Sequence, residues 1–203
     1  MENFETIGVF PVGLGRSYLT PGINQQELDY FYSLEMVDNK GNSKSQNSFV
    51  LNDTFLDRIY YFCRKGCQDY LKNIICATDV EVYITQSWIN ITKNNQYHHR
   101  HIHSNSFLSG VFYIKTDSND TINFTNPHKP FGNFYFDVTS HNHFNSSGWF
   151  LPATTNSLIV FPSTLEHEVR TKTSDGDRIS LSFNTFIKGS LGNIDQLTEL
   201  TLK

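Results

Sequence analysis

Hydrophobic periodicity changes near residue 80, and this constrains the fold more than any other feature of the 203-residue chain. Before that point, Phe55, Leu56, Ile59, Tyr60, Phe62, Cys63, Tyr70, Leu71, Ile74 and Ile75 recur at helical spacing. They predict a core-facing amphipathic helix of about six turns, capped by Asn52 or Asp53, with Gly66 as its weak point. A shorter helix is expected after Asn24, its apolar side made by Leu28, Phe31, Tyr32 and Leu34. Residues 5–14 read as an extended edge segment because they alternate and carry Pro11. Residues 37–50 read as a polar, turn-rich loop. Beyond residue 80, alternating or short apolar runs bounded by turn residues predict strands over 80–92, 108–115, 121–125, 157–161, 168–171 and 178–186. Helices first and short strands after indicate an α+β chain whose strands form a sandwich or barrel. No repeat or linker divides it. A single domain over 1–203 is expected, with an N-terminal strand and helical layer at 1–79, a strand core at 80–187 and a C-terminal extension at 188–203.

Charge and composition exclude several classes. The net charge is -4, so no global basic field recruits nucleic acid, and nucleic acid is not expected as a partner. No apolar run approaches the roughly 20 residues of a membrane span. Residues 1–5 lack the basic start and apolar core of a signal peptide, which points to the cytoplasm. Cys63 and Cys67 have C-x3-C spacing rather than that of a zinc knuckle, and with Cys76 they read as reduced thiols.

Four of the eight histidines fall in His98-His99-Arg100-His101-Ile102-His103. In an extended chain, residues two apart point the same way, so His99, His101 and His103 would share a face and His98 would point away. One histidine in a strand is usually only a hydrogen-bonded polar residue. Three in alternation suggest a transition-metal site, because imidazole is the commonest ligand near neutral pH. His167, after a Pro-containing turn, is the best distal candidate. Arg178 opens an otherwise apolar strand, where it is either an edge charge or a fork for a carboxylate.

Three runs, in order, resemble a known family: His101-x-His103-Ser-Asn-Ser-x-Leu-Ser-Gly-Val-x-Tyr113, then Phe161-Pro-Ser-x-Leu-x-His167-x-Val169, then Asp177-Arg178-Ile-Ser-x-Ser-Phe-Asn184. Together they look like the 2-oxoglutarate/Fe(II)-dependent oxygenase superfamily, nearest to a small branch found in marine bacteria and in phages that infect cyanobacteria. The resemblance covers about residues 86–187. It implies a double-stranded β-helix (jelly-roll) with helices packed on one sheet. The implied cofactors are Fe(II) and 2-oxoglutarate, with O2 as co-reactant. The reaction implied is hydroxylation of a C–H on a peptide side chain or small metabolite, with release of succinate and CO2; a phage-encoded member would act in the host cytoplasm. Carried over residue by residue, His101 and His167 are metal ligands and Arg178 clamps the far carboxylate of 2-oxoglutarate. Tyr113 supports that clamp, and Asn90 matches the family's Asn eleven residues before the first ligand. One departure matters. The family's usual carboxylate position is His103, so either His101, His103 and His167 form a three-His site or the pair shifts to His99 and His101.

Two rival readings follow from the same residues. A cupin-type metalloprotein also carries His-x-His and a distal His, but it wants a Glu soon after the pair and leaves Arg178 without a role. A non-enzymatic jelly-roll binding or structural module would make the motifs accidents of packing. The long segment 127–152, with His128, Phe131, Gly132, His141 and His143, is expected to form a substrate mouth.

Overall fold

The protein was analysed as a computed structural model that describes residues 4–128 and 134–203. The first helix, α1 (Gln25–Ser33), begins where its sequence closes a capping box: Asn24 Oδ1 accepts from the Glu27 amide, and Glu27 Oε2 accepts from the Asn24 amide, each at 2.9 Å. The second, α2 (Asp57–Tyr70), is shorter than its periodicity suggests. Asp53 accepts from the Phe55 amide and tightens the entry into a 3-10 turn at Thr54–Leu56, while a π-turn over Leu71–Ile75 ends at Cys76 with φ 60°. Gly66 is a contact point rather than a weak point. A Cβ there would lie 2.5 Å from Leu158 Cδ2, so the missing side chain lets α2 settle onto the sheet.

Twelve strands follow from the described residues: β1 (Gly15–Tyr18), β2 (Met36–Asn39), β3 (Asn42–Ser45), β4 (Val80–Thr92), β5 (His98–His101), β6 (Leu108–Lys115), β7 (Thr121–Thr125), β8 (Gly148–Pro152), β9 (Ser157–Pro162), β10 (His167–Val169), β11 (Arg178–Leu191) and β12 (Leu200–Leu202). A large antiparallel sheet runs β1-β9-β6-β11-β4-β3-β2, with β12 paired to the end of β11. A smaller one runs β5-β10-β7-β8.

The period-two pattern of the large sheet separates two cores. Leu158 and Val160 of β9, Phe112 and Ile114 of β6, Ile179, Leu181 and Phe183 of β11, and Ile89 of β4 pack with α2 residues Ile59, Cys63 and Cys67. The intervening Val111, Tyr113, Ile159 and Phe161 pack with Ile122 and Phe124 of β7 in the smaller sheet. On β4 and β11, however, the intervening residues are Asn90, Ser180, Ser182 and Asn184, all buried and polar. That polar stripe opens a cleft inside the sandwich.

Four sequence expectations change. Residues 37–50 hold the hairpin of β2 and β3, whose tight turn uses Gly41 at φ 94°; the polar composition concealed it because its buried groups are Asn42 and Ser45. The N-terminal strand is β1, after Pro11, and residues 4–14 make none. The segment 127–152 ends in β8, paired to β7 through Phe124–Trp149 and neighbours. The chain after 187 continues β11 to Leu191 and returns as β12. No described helix is long and apolar enough to cross a membrane. Cys63 and Cys67 are buried free thiols, and Cys76 is an exposed one.

Candidate metal centre

The pairing of β5 with β10 sets the histidine geometry. His167 lies opposite His101, and the next pair is Val169 with His98. Four residues of β5, His98–His101, therefore oppose three of β10, His167–Val169, and the extra residue is a bulge. Strict alternation fails there. His98 joins His101 and His103 on the wall of the cleft, while His99 does not line it. This reverses the expected facing of His98 and His99, and His99 is outside the group of three ring nitrogens described next.

One candidate ligand atom from each of His101, His103 and His167 falls within 4.8 Å of the others. His101 Nδ1 donates to the His99 carbonyl at 2.7 Å, and His167 Nδ1 donates to the Leu165 carbonyl at 3.0 Å. A carbonyl only accepts, so both rings carry their proton on Nδ1 and turn a bare Nε2 inward. His103 Nε2 lies 3.3 Å from His167 Nε2. His167 Nε2 is bare, so this contact takes either an N–H on His103 or a cation between the two nitrogens. Bonds of about 2.1 Å at right angles would put such nitrogens about 3 Å apart, so the donor set fits a divalent transition metal. Burial pushes His167 down to about 3 and His103 to about 4, and it lowers His101. Each is therefore a neutral ligand at neutral pH.

The opposite wall is cationic. Arg178, at the start of β11, is 2% exposed. Its Nη2 donates to Thr92 Oγ1 at 3.2 Å, while Nε and Nη1 have no partner among the described residues. The Tyr113 hydroxyl is equally buried and has no partner among the described residues. Burial raises its pKa to about 12, so it stays an O–H donor. Burial also lowers Arg178 from its usual value, partly offset by Tyr113 and Asp120. Leaving a buried guanidinium unpaired costs several kcal/mol, by the order of such penalties. The site thus suits an anion set against Arg178. Asn90 donates to Ser182 Oγ at 3.0 Å and presents an unpartnered Oδ1.

All six candidate residues, His101, His103, His167, Arg178, Tyr113 and Asn90, line this one cleft. Sequence reasoning missed Trp88, whose ring lies 5.9 Å from that of His103, and it missed Ser180 and Ser182. Polar residues alternating with apolar ones in Arg178-Ile-Ser-Leu-Ser-Phe-Asn184 were the available signal. The expected mouth loop is not brought to the cleft: among the described residues, none from 127–152 lines it, and Phe134, Tyr135 and Phe144 are exposed. Phe131 and Gly132 lie outside the described residues. His143 packs on Trp149 at 4.1 Å, away from any metal-like group among the described residues.

A family profile described as "Putative 2OG-Fe(II) oxygenase" matches residues 86–184. No curated protein sequence matches the chain. Solved structures share its fold. One is an oxidoreductase of the 2OG-Fe(II) oxygenase family from Burkholderia pseudomallei, 14% identical, with a TM-score of 0.55 and 84% of each chain covered. HygX from Streptomyces hygroscopicus, with nickel, 2-oxoglutarate and hygromycin B bound, is 10% identical, with a TM-score of 0.52 over 84% of this chain and 82% of that one. A prolyl-4-hydroxylase from Pseudomonas putida is 11% identical, with a TM-score of 0.52 over 84% of this chain and 92% of its own.

Proposed function

We propose that the protein is a 2-oxoglutarate- and Fe(II)-dependent oxygenase with a double-stranded β-helix core. The observation that carries this reading is one cleft holding three clustered histidine nitrogens and a buried guanidinium with two unpartnered nitrogens beside a protonated phenol. Neither half explains the other's cost alone; a metal-chelating dicarboxylate satisfies both. The family match over 86–184 and the shared fold agree with it.

His101, His103 and His167 would hold Fe(II) through their clustered ring nitrogens. Arg178 and Tyr113 donate to the far carboxylate of 2-oxoglutarate through charge-assisted bonds. Asn90, held by Ser182, faces the same space. The bound metal and cosubstrate supply the oxidising chemistry, in which 2-oxoglutarate becomes succinate and CO2 and a substrate C–H becomes C–OH. The apolar flank of Val111 and Ile122 limits water in the cleft. The substrate is a small molecule or a peptide side chain. In a cupin-type centre Arg178 would remain a buried charge without a partner, and nothing in the cleft favours that reading.

The test is succinate formation from 2-oxoglutarate with Fe(II). Arg178→Ala should lower kcat/KM for 2-oxoglutarate by about 10–100-fold, the value of one or two hydrogen bonds to a charged group. Equal rates for wild type and variant, or no succinate from the iron-loaded wild type, would remove the proposal.

A further inference from the structure

His98, which the alternation turned away from the other histidines, lines the same cleft. Its ring stacks on that of His101 at 4.7 Å and 18°. Its hydrogen bonding, however, differs from that of its neighbours. His98 Nδ1 lies 3.4 Å from Nδ2 of Asn42, a buried residue of β3. Asn42 Oδ1 already accepts from Asn39 Nδ2 at 2.9 Å, which fixes the amide's orientation. An amide nitrogen only donates, so His98 Nδ1 must accept, and the ring's proton sits on Nε2. The same cluster thus contains two opposite tautomers: His101 and His167 turn lone pairs inward, and His98 carries an N–H.

We propose that His98 is a cosubstrate-binding residue, a third hydrogen-bond donor for the dicarboxylate beside Arg178 and Tyr113, and that Asn42 is the positioning residue that keeps it a donor. The inference rests on the 2-oxoglutarate reading of the cleft. Asn42 touches His98 directly and Arg178 through Thr92. Its Nδ2 also donates to Thr92 Oγ1 at 3.3 Å, the same oxygen that receives Arg178 Nη2. The hairpin of β2 and β3, outside the strands that carry the metal ligands, therefore sets the donor geometry of the anion site.

Two measurements decide it. Long-range proton–nitrogen NMR on the metal-free protein should show His98 with a bare Nδ1 and a protonated Nε2; the reverse tautomer would overturn the inference without any variant. Calorimetry should then separate cosubstrate from metal. On the Mn(II)-loaded protein, His98→Phe should weaken 2-oxoglutarate about tenfold, the loss of one hydrogen bond to a charged acceptor, and His98→Gln, which keeps an N–H, should recover most of it. Mn(II) affinity, measured alone by equilibrium dialysis, should stay within about threefold, well inside the range by which ligand-shell changes move it. Lost Mn(II) binding would make His98 a ligand, and unchanged 2-oxoglutarate affinity in the Mn(II)-loaded variant would remove its role in the anion site; either result ends the proposal. Succinate formation by the wild type tests the oxygenase reading separately: if it occurs while His98→Phe binds 2-oxoglutarate normally, only this inference fails.

Discussion

His103 occupies the place where the family it resembles has a carboxylate, and its neutral ring would leave the charge of a bound metal uncompensated by the protein. His103→Asp should therefore tighten Mn(II) binding by about tenfold or more, read by equilibrium dialysis without cosubstrate, since changes around a metal commonly move affinity on that scale. The same neutral rings shape the response to acid. Burial holds His98 and His167 near 3 and His103 near 4, against an ordinary value of 6.5. Between those limits the unfolded chain binds more protons than the folded one, so stability rises with pH and is lost as pH falls below about 6.5. Thermal melts of metal-free protein should show Tm dropping from pH 7 to pH 4, and His167→Gln should flatten that slope. The identities of the three candidate ligands were legible because alternation plus a distal His is a recognisable pattern. The environment of His98 was not, because a one-residue bulge reverses which side chains face inward, and no local residue type announces it.

At the level of elements, close approach matters more than propensity. Gly110 of β6 stands against the ring of Phe183 on β11, where a Cβ would overlap the ring. Gly110→Ala should cost about 1–3 kcal/mol as overpacking, visible as a lower urea midpoint with an unchanged slope. Strands β4, β6, β9 and most of β11 were readable from periodicity, since each has a strongly apolar face. The hairpin of β2 and β3 was not, because Asn42 and Ser45 are its buried groups and a polar pattern reads as a loop. Strand β8 escaped for the opposite reason: it is an edge strand with Trp149 and Phe150 turned to solvent, so nothing in its pattern distinguishes it from the loop before it. The extent of α2 was overread, because helical periodicity continues through turns that bond as 3-10 or π.

Across the whole molecule, one buried cation ties loops from distant parts of the chain. Lys172 Nζ lies 2.7 Å from Asp117 and 3.3 Å from Asp120, and it donates to Ser174 at 2.6 Å. Its backbone pairs with Asn95 and Gln96. The lysine side chain is 1% exposed and Asp120 5%. Lys172→Met should destabilise by about 3–5 kcal/mol because it strands a buried carboxylate, and adding Asp120→Asn should recover part of that loss in denaturant titrations. The alternation along β11 has a consequence of another kind. Ile179, Leu181 and Phe183 serve the scaffold, while Arg178, Ser180 and Ser182 face the cleft. Selection can act on the two sets almost independently, because neighbours in sequence share neither surroundings nor duty. A saturation library of this strand, scored for cellular abundance and for succinate production, should split with a period of two. Substitutions at 179, 181 and 183 should deplete the protein itself; those at 178, 180 and 182 should leave more of it present but idle.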